Sequence, residues 1–244
     1  MSNINKPILI VCASSSVGQK VAIRLINLGH PVGLHYVKNK NVLINLQKTK
    51  QNIQKSKLFK SNLKNFSVCK KLIKKFVKEF GKPYGLIYCG GQVPWKDWRI
   101  LNENDWQGTL NQHCIQPFYL AREISKYIKR NGRIVLLSSI SAKYGGSEKT
   151  IHYAAAKGAM EVMIKGLSRE LAPKEILVNG VRSGFLLNKL QRKIRSKKQI
   201  KNRVKKIPIK RAGKPDEVAF IISKFFDKDA SFITGEIVSA SGGD

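Results

Sequence analysis

Tyr153 and Lys157 stand four residues apart in YAAAK, a spacing that puts both on one face of a helix, one turn apart. A phenol with its ordinary pKa of about 10 is a poor base at neutral pH, and a neighbouring ammonium favours the phenolate. Such a tyrosine can exchange a proton with a substrate oxygen. The segment RIVLLSS ends in Ser138 and Ser139, and a hydroxyl at Ser139 would hydrogen-bond the same oxygen and hold it near the reacting carbon. A Tyr and a Lys four apart also occur by chance on surface helices, so the pair takes its meaning from the rest of the chain.

A second chemical site is CASSSVG, Cys12 to Gly18, where an apolar run meets a helical pattern. Backbone amides at such a helix N-terminus hold a pyrophosphate, and small residues let the phosphates approach the main chain. Ser14, Ser15 and Ser16 add hydroxyl donors, although a serine-rich turn also serves as a plain helix cap. The elements that position these sites alternate. Strands are expected at Ile8–Val11, Val32–Tyr36, Leu86–Cys89, Arg133–Leu137, Ile176–Val181 and Ile237–Ala240, with a weaker one at Leu58–Lys60. Helices are expected at Gly18–Leu28, Val68–Phe80, Trp106–Lys129, Tyr153–Leu171 and Pro215–Phe226. This alternation implies an α/β domain, a seven-stranded parallel sheet with helices on both faces. The 244 residues suit one domain, interrupted only by a basic, weakly amphipathic insertion at about 187–208.

Composition narrows the partners. The 46 Lys and Arg against 15 Asp and Glu give a formal charge of +31, and no carboxylate precedes Glu79. Anionic partners suit that balance, as does a lysine-rich composition spread over solvated faces. Nucleic acid is disfavoured, because no zinc-finger spacing, basic zipper or aromatic RNA-binding motif is present. Cys12, Cys69, Cys89 and Cys114 lack both metal-site pairing and disulfide density, so they are expected to be reduced, with no metal site. The apolar run in KPILIVCA is too short to span a bilayer, and a cytoplasmic location without membrane insertion is expected.

Taken in order along nearly the whole chain, these landmarks resemble the short-chain dehydrogenase/reductase family. Its TGxxxGxG turn corresponds to Val11–Gly18, its NNAG stretch to Tyr88–Gly91, its GRIV-x-x-SS stretch to Gly132–Ser139, and its YxxxK pair to Tyr153 and Lys157. RELAPKEILVNGVRSGF, then IPIKRAGKPDEVAF and SFITGEIVSASGG, are especially similar to 3-oxoacyl-(acyl-carrier-protein) reductases. The resemblance implies a Rossmann fold, a homotetramer, and hydride transfer between NADP(H) and a carbonyl or alcohol carbon. It also implies catalysis by Ser139, Tyr153, Lys157 and the residue at position 113. Cofactor contacts would come from Cys12, Ser14, Ser15, Ser16, Val17, Gly18, Lys38, Asn62, Leu63, Gly90, Gly91, Gly184 and Leu186, together with Tyr153 and Lys157. NADP(H) rather than NAD(H) is expected because strand two runs into VKNK, with His35, Lys38 and Lys40 and no carboxylate to bind a ribose diol.

Departures from the family pattern matter. Cys12 and Ser16 replace two glycines, NNAG reads YCGG, Ser183 replaces a proline, and His113 replaces the asparagine that supports a water-linked proton relay. His113 would bind the same water or shuttle a proton itself. Two classes of function stay open: an NADPH-dependent ketoreductase acting on a 3-oxoacyl group carried by acyl carrier protein or CoA, and a catalytically altered or inactive binding or scaffold subunit. A dehydrogenase of a small free alcohol is a third. For the first, by resemblance, Arg130 and Lys174 would dock an acidic carrier beside the active-site mouth, under the basic lid.

Overall fold

The computed structural model describes residues 6–48 and 56–244. Seven parallel strands form one sheet in the order β3-β2-β1-β4-β5-β6-β7, the doubly wound arrangement expected. They are β1 Ile8–Val11, β2 Val32–Tyr36, β3 Ser56–Lys60, β4 Gly85–Tyr88, β5 Arg133–Ser139, β6 Leu177–Ser183 and β7 Ile237–Ala240. Strands β1, β2 and β4 are buried throughout, which is why they read as unbroken apolar runs rather than alternating ones. The edge strands β3 and β7 are only partly covered. One face of the sheet packs on helices α1 (Ser16–Asn27) and α10 (Pro215–Lys224), through Val21, Leu25, Ala219 and Ile222. The other packs on α3 (Phe66–Phe80), α5 (Gln116–Ile124) and α7 (Ile151–Leu171), through Phe76, Leu120, Met160 and Ile164. Because β1 lies between β2 and β4, the chain reverses direction across the sheet there, and the crevice at the carboxyl ends of the strands opens at that point.

The long helix expected over Trp106–Lys129 is instead three pieces: α4 (Glu103–Leu110), a π-helical turn at Asn111–Ile115, and α5, which ends at Ile124. Pro117 is the physical reason. It has no N–H to give the His113 carbonyl four residues back, and the Gln116 N–H reaches five residues back to the Asn111 carbonyl. Helix α2 (Lys40–Lys48) and the short α6 (Ser141–Tyr144) were not expected. The basic insertion is helical too: α8 (Lys189–Ile194) and α9 (Lys197–Lys206), the latter started by a capping box between Ser196 and Gln199.

Candidate active site and nucleotide crevice

Strand β5 ends at Ser139, which lies opposite Ser183 at the end of β6, and α7 begins within reach of both. Tyr153 sits in the first turn of α7 with its phenol beside the Ser139 hydroxyl. That hydroxyl is itself fixed by the Ser141 N–H at 3.2 Å. Burial pushes the Tyr153 phenol up to about 12, and the Ser139 contact only partly offsets this. Burial outweighs any lowering by the Lys157 charge. Lys157 is almost wholly buried, its Nζ lies 5.9 Å from the Tyr153 ring centroid, and it donates instead to the Leu137 carbonyl at 2.5 Å. Burial brings the Lys157 ammonium down to about 7, opposed by the carboxylate of Glu161. Glu161, one turn further along α7, is paired with Arg182 of β6 at 2.5 Å and accepts from the Ser138 hydroxyl at 2.6 Å. Its spacing of four from Lys157 was a signal that sequence reading missed.

His113 projects from the π-helical turn onto Tyr153, with ring centroids 4.8 Å apart and planes at 87°. Its Nε2 lies 2.8 Å from the Gln92 carbonyl, which can only accept, so Nε2 carries the hydrogen and the buried Nδ1 lone pair is left without a partner. Burial and the Lys157 charge hold its pKa at about 3. The ring is thus neutral beside the phenol and unsuited to carrying a proton as imidazolium, and its Nδ1 is sealed from solvent against Gly91. Gly91 makes room for it: a Cβ there would stand 1.9 Å from His113 Cε1, and the backbone φ of 105° is one that glycine tolerates. Tyr88, in the place of the first NNAG asparagine, ties β4 to the same turn by donating to the Gln112 carbonyl at 2.5 Å.

The phosphate turn is formed despite its missing glycines. Ser15 caps α1, its hydroxyl accepting the Gly18 N–H at 3.0 Å. The first turn of α1 holds no acidic residue, so its orphan N–H groups face a site biased toward anions. Gly18 is indispensable, since a Cβ there would meet the Cys12 carbonyl at 2.7 Å. Cys12 adopts a left-handed φ of 57°, and its sulfur occupies space that a Cβ on residue 90 would contest at 2.5 Å. Two departures thus fit each other: Cys12 where the family has glycine, and Gly90 where NNAG has alanine.

His35 requires a correction. It is wholly buried, accepts the Cys12 N–H on Nδ1 at 3.1 Å and donates from Nε2 to the Ser61 carbonyl at 3.1 Å. Burial holds its pKa at about 4, so it ties the phosphate turn to the end of β3 as a neutral ring and adds no positive charge. Lys38 and Lys40, exposed beyond β2, remain as the cations there. Asn62 is exposed and Leu63 buried just past β3, beside a Ser61 hydroxyl that is buried without a partner. Gly184 is pressed against β7, where a Cβ would stand 2.6 Å from Ser241 Cα, and Leu186 bridges to Gly213. A helix start with orphan N–H groups, an orphan hydroxyl beyond β3 and exposed lysines beyond β2 fit a nicotinamide dinucleotide.

The expectation for Arg130 and Lys174 holds in one respect and fails in another. Both border one shallow depression of about 400 Å³, and Arg130 Nε donates to Glu175 at 2.8 Å. But both precede strands whose far ends carry the site, Arg130 before β5 and Lys174 before β6. In a parallel sheet that places them at the opposite edge from Ser139, on the order of 20 Å away along β5. Within one chain they do not flank the active-site mouth, and the α8–α9 lid does not share their edge. A cavity of about 470 Å³ beside α10 and β7, bordered by Arg24, Leu186 and Phe220, also contains none of Ser139, Tyr153 and Lys157.

Comparisons with known proteins agree with this geometry. Residues 11–243 match the family model described as enoyl-(acyl carrier protein) reductase. The 3-oxoacyl-(acyl-carrier-protein) reductase FabG of Thermotoga maritima is 33% identical over 145 residues, 59% of this chain and 58% of that protein. That alignment therefore spans little more than half of the relative. The namesake of Rickettsia prowazekii is 32% identical over 98% of this chain and 96% of its own. Among solved structures, a blue fluorescent protein from a metagenomic library in complex with NADPH superposes with a TM-score of 0.92 at 20% identity, covering 99% of both chains. With the sheet order, the Ser139–Tyr153–Lys157 set and a family match spanning nearly its whole length, this chain belongs to the short-chain dehydrogenase/reductase family.

Proposed function

We propose that this protein is an NADPH-dependent ketoreductase that reduces a 3-oxoacyl group presented on an acyl carrier protein or CoA. The observation that carries the reading is the placement of the Tyr153 phenol beside Ser139 at the end of β5 and against the His113 ring, with burial raising its pKa further above neutral. A protonated phenol is the form needed to donate to a carbonyl oxygen that gains charge during reduction. The dinucleotide, when bound, supplies the hydride. Ser139 holds the ketone oxygen, Tyr153 delivers the proton to it, and Lys157, in its charged form, stabilises the phenolate left behind. The fit of Cys12 against Gly90 supports a working phosphate turn rather than a decayed one, and so favours an enzyme over a scaffold.

NADP(H) is the proposed cofactor, because Lys38 stands exposed past β2 without a carboxylate partner among the described residues. A homotetramer is part of the same proposal, supported by exposed apolar side chains at Val162 on α7 and at Phe232 before β7. A cytoplasmic setting belongs to it as well; among the described residues no helix is long and apolar enough to cross a membrane. The test is NADPH oxidation across a panel of 3-oxoacyl thioesters and free ketones. Tyr153→Phe should abolish nearly all turnover while leaving the NADPH dissociation constant within about threefold, because it removes the proton donor and little else. Near-normal turnover by Tyr153→Phe would end the proposal.

A further inference from the structure

The α8–α9 lid carries a guanidinium that the mechanism above does not use. Arg195, in the link between the two helices, stacks on Trp95 with 4.3 Å from its Cζ to the ring centroid, and lies 5.5 Å from the centroid of Phe185. Trp95 belongs to the loop after β4 and Phe185 to the loop after β6. Since β5 runs between β4 and β6 in the sheet, the loops that carry the two rings leave the sheet on either side of the strand ending in Ser139, and Arg195 bridges them as a roof between the two loops.

The charge on this roof is uncompensated. Arg195 Nη1 is buried with no hydrogen-bond partner, as is Gln191 Oε1 on α8. No acidic residue occurs between Glu175 and Asp216. The nearby Arg203, whose Cζ is 5.9 Å from the Phe185 centroid, is held by both oxygens of the Asp244 carboxylate, but Arg195 pairs with no carboxylate among the described residues. Burial and the Arg203 charge both disfavour its cation. An unpaired buried guanidinium nitrogen costs stability unless something completes it, and a planar donor fork clamped between two rings matches an oxyacid.

We infer that Arg195 is the specificity residue of the substrate pocket and that it binds a carboxylate or phosphate group carried by the ketone substrate beyond its reacting carbonyl. This rests on the ketoreductase reading for its kinetic arm and stands apart from it in its binding arm. A charge-assisted hydrogen bond in such a setting amounts to roughly ten- to a hundredfold in KM.

Two substrate pairs differ only in the anion: a ketone bearing a terminal carboxylate against its methyl ester, and a 3-oxoacyl thioester of 4′-phosphopantetheine against that of pantetheine. The wild type should favour the anionic member of one pair by at least about tenfold in KM, and the pair that responds identifies whether the group is a carboxylate or a phosphate. Arg195→Gln should erase that preference, leave the neutral member's kcat/KM unchanged, leave the NADPH dissociation constant unchanged, and not lower the urea midpoint. Separately, glutarate and inorganic phosphate are titrated into the NADP+ complex with Trp95 fluorescence as readout and Trp95→Phe as the blank; one of them should give a saturable change that Arg195→Gln loses. Loss of both pair members equally, or weakened NADPH binding, which would place Arg195 on the cofactor, overturns the inference. So does an anion response that survives Arg195→Gln. If no ketone is reduced but the Arg195-dependent anion response persists, the ketoreductase reading falls and the anion site stands.

Discussion

The contact between Cys12 and residue 90 admits a quantitative test. An alanine Cβ at position 90 would lie 2.5 Å from Cys12 Sγ, 3.0 Å from Tyr88 Cζ and 3.1 Å from the Tyr88 hydroxyl. The sulfur contact is about 1 Å inside ordinary van der Waals distance, and overpacking of that kind costs about 1–3 kcal/mol. Gly90→Ala should therefore lower stability by that amount, which in a chain of this size is a loss of about 2–4 °C in melting temperature per kcal/mol. It should also weaken NADPH binding, because the displaced atom belongs to the phosphate turn. Cys12→Gly removes the obstructing sulfur and relieves a left-handed backbone that costs a side chain about 1–2 kcal/mol; against this it loses a half-buried thiol, so its own effect should be small. In the double variant the sulfur clash is gone and only the Tyr88 contacts remain. The two changes should thus be coupled by about 1–2 kcal/mol, well above the roughly 0.5 kcal/mol scatter of independent sites. Urea unfolding of the four proteins, with NADPH titrations alongside, measures the cycle. Additive effects within that scatter, or a double variant less stable than Gly90→Ala, would refute the claim that these residues fit one another.

Three further outcomes follow from the same geometry. Lys157, with its pKa lowered to about 7, is charged below that pH, so ketone reduction should fall as pH rises through about 7; Glu161→Gln, by removing the carboxylate that raises this pKa, should move the midpoint of the rate profile to lower pH, and an alkaline shift would contradict the assignment. The neutral buried rings of His35 and His113, at about 4 and about 3, bind fewer protons folded than unfolded, so stability is full above about pH 6.5 and declines as pH falls toward those values. Each should cost about 3 kcal/mol by pH 4, and His35→Asn should flatten the slope of unfolding free energy against pH by close to one proton. Lys38→Asp should shift cofactor preference from NADPH toward NADH by at least about tenfold in the ratio of dissociation constants, since a charge-assisted contact to a 2′-phosphate is lost; an unchanged ratio would remove Lys38 from the cofactor site.

The sheet and the main chemical residues were legible from the chain alone, because the signals behind them are local. Buried parallel strands are short apolar runs between turn residues, so β1, β2 and β4 declared themselves, and a spacing of four places Tyr153 and Lys157 on one face of any helix. Even the broken helix around His113 was written locally, in the missing N–H of Pro117. What the linear pattern did not contain was direction and depth. Whether His35 points to solvent or into the core depends on which strands flank β2, and only the fold turned an expected surface cation into a neutral buried link between the Cys12 amide and the Ser61 carbonyl. That Arg130 and Lys174 sit at the far edge of the sheet follows from all strands running the same way, and that Arg195 meets Trp95 and Phe185 follows from the β4-β5-β6 order. Cys12 and Gly90 looked like two separate losses in sequence because they are 78 positions apart; they become one packing unit when β1 and β4 lie side by side and a sulfur takes the volume of an absent Cβ.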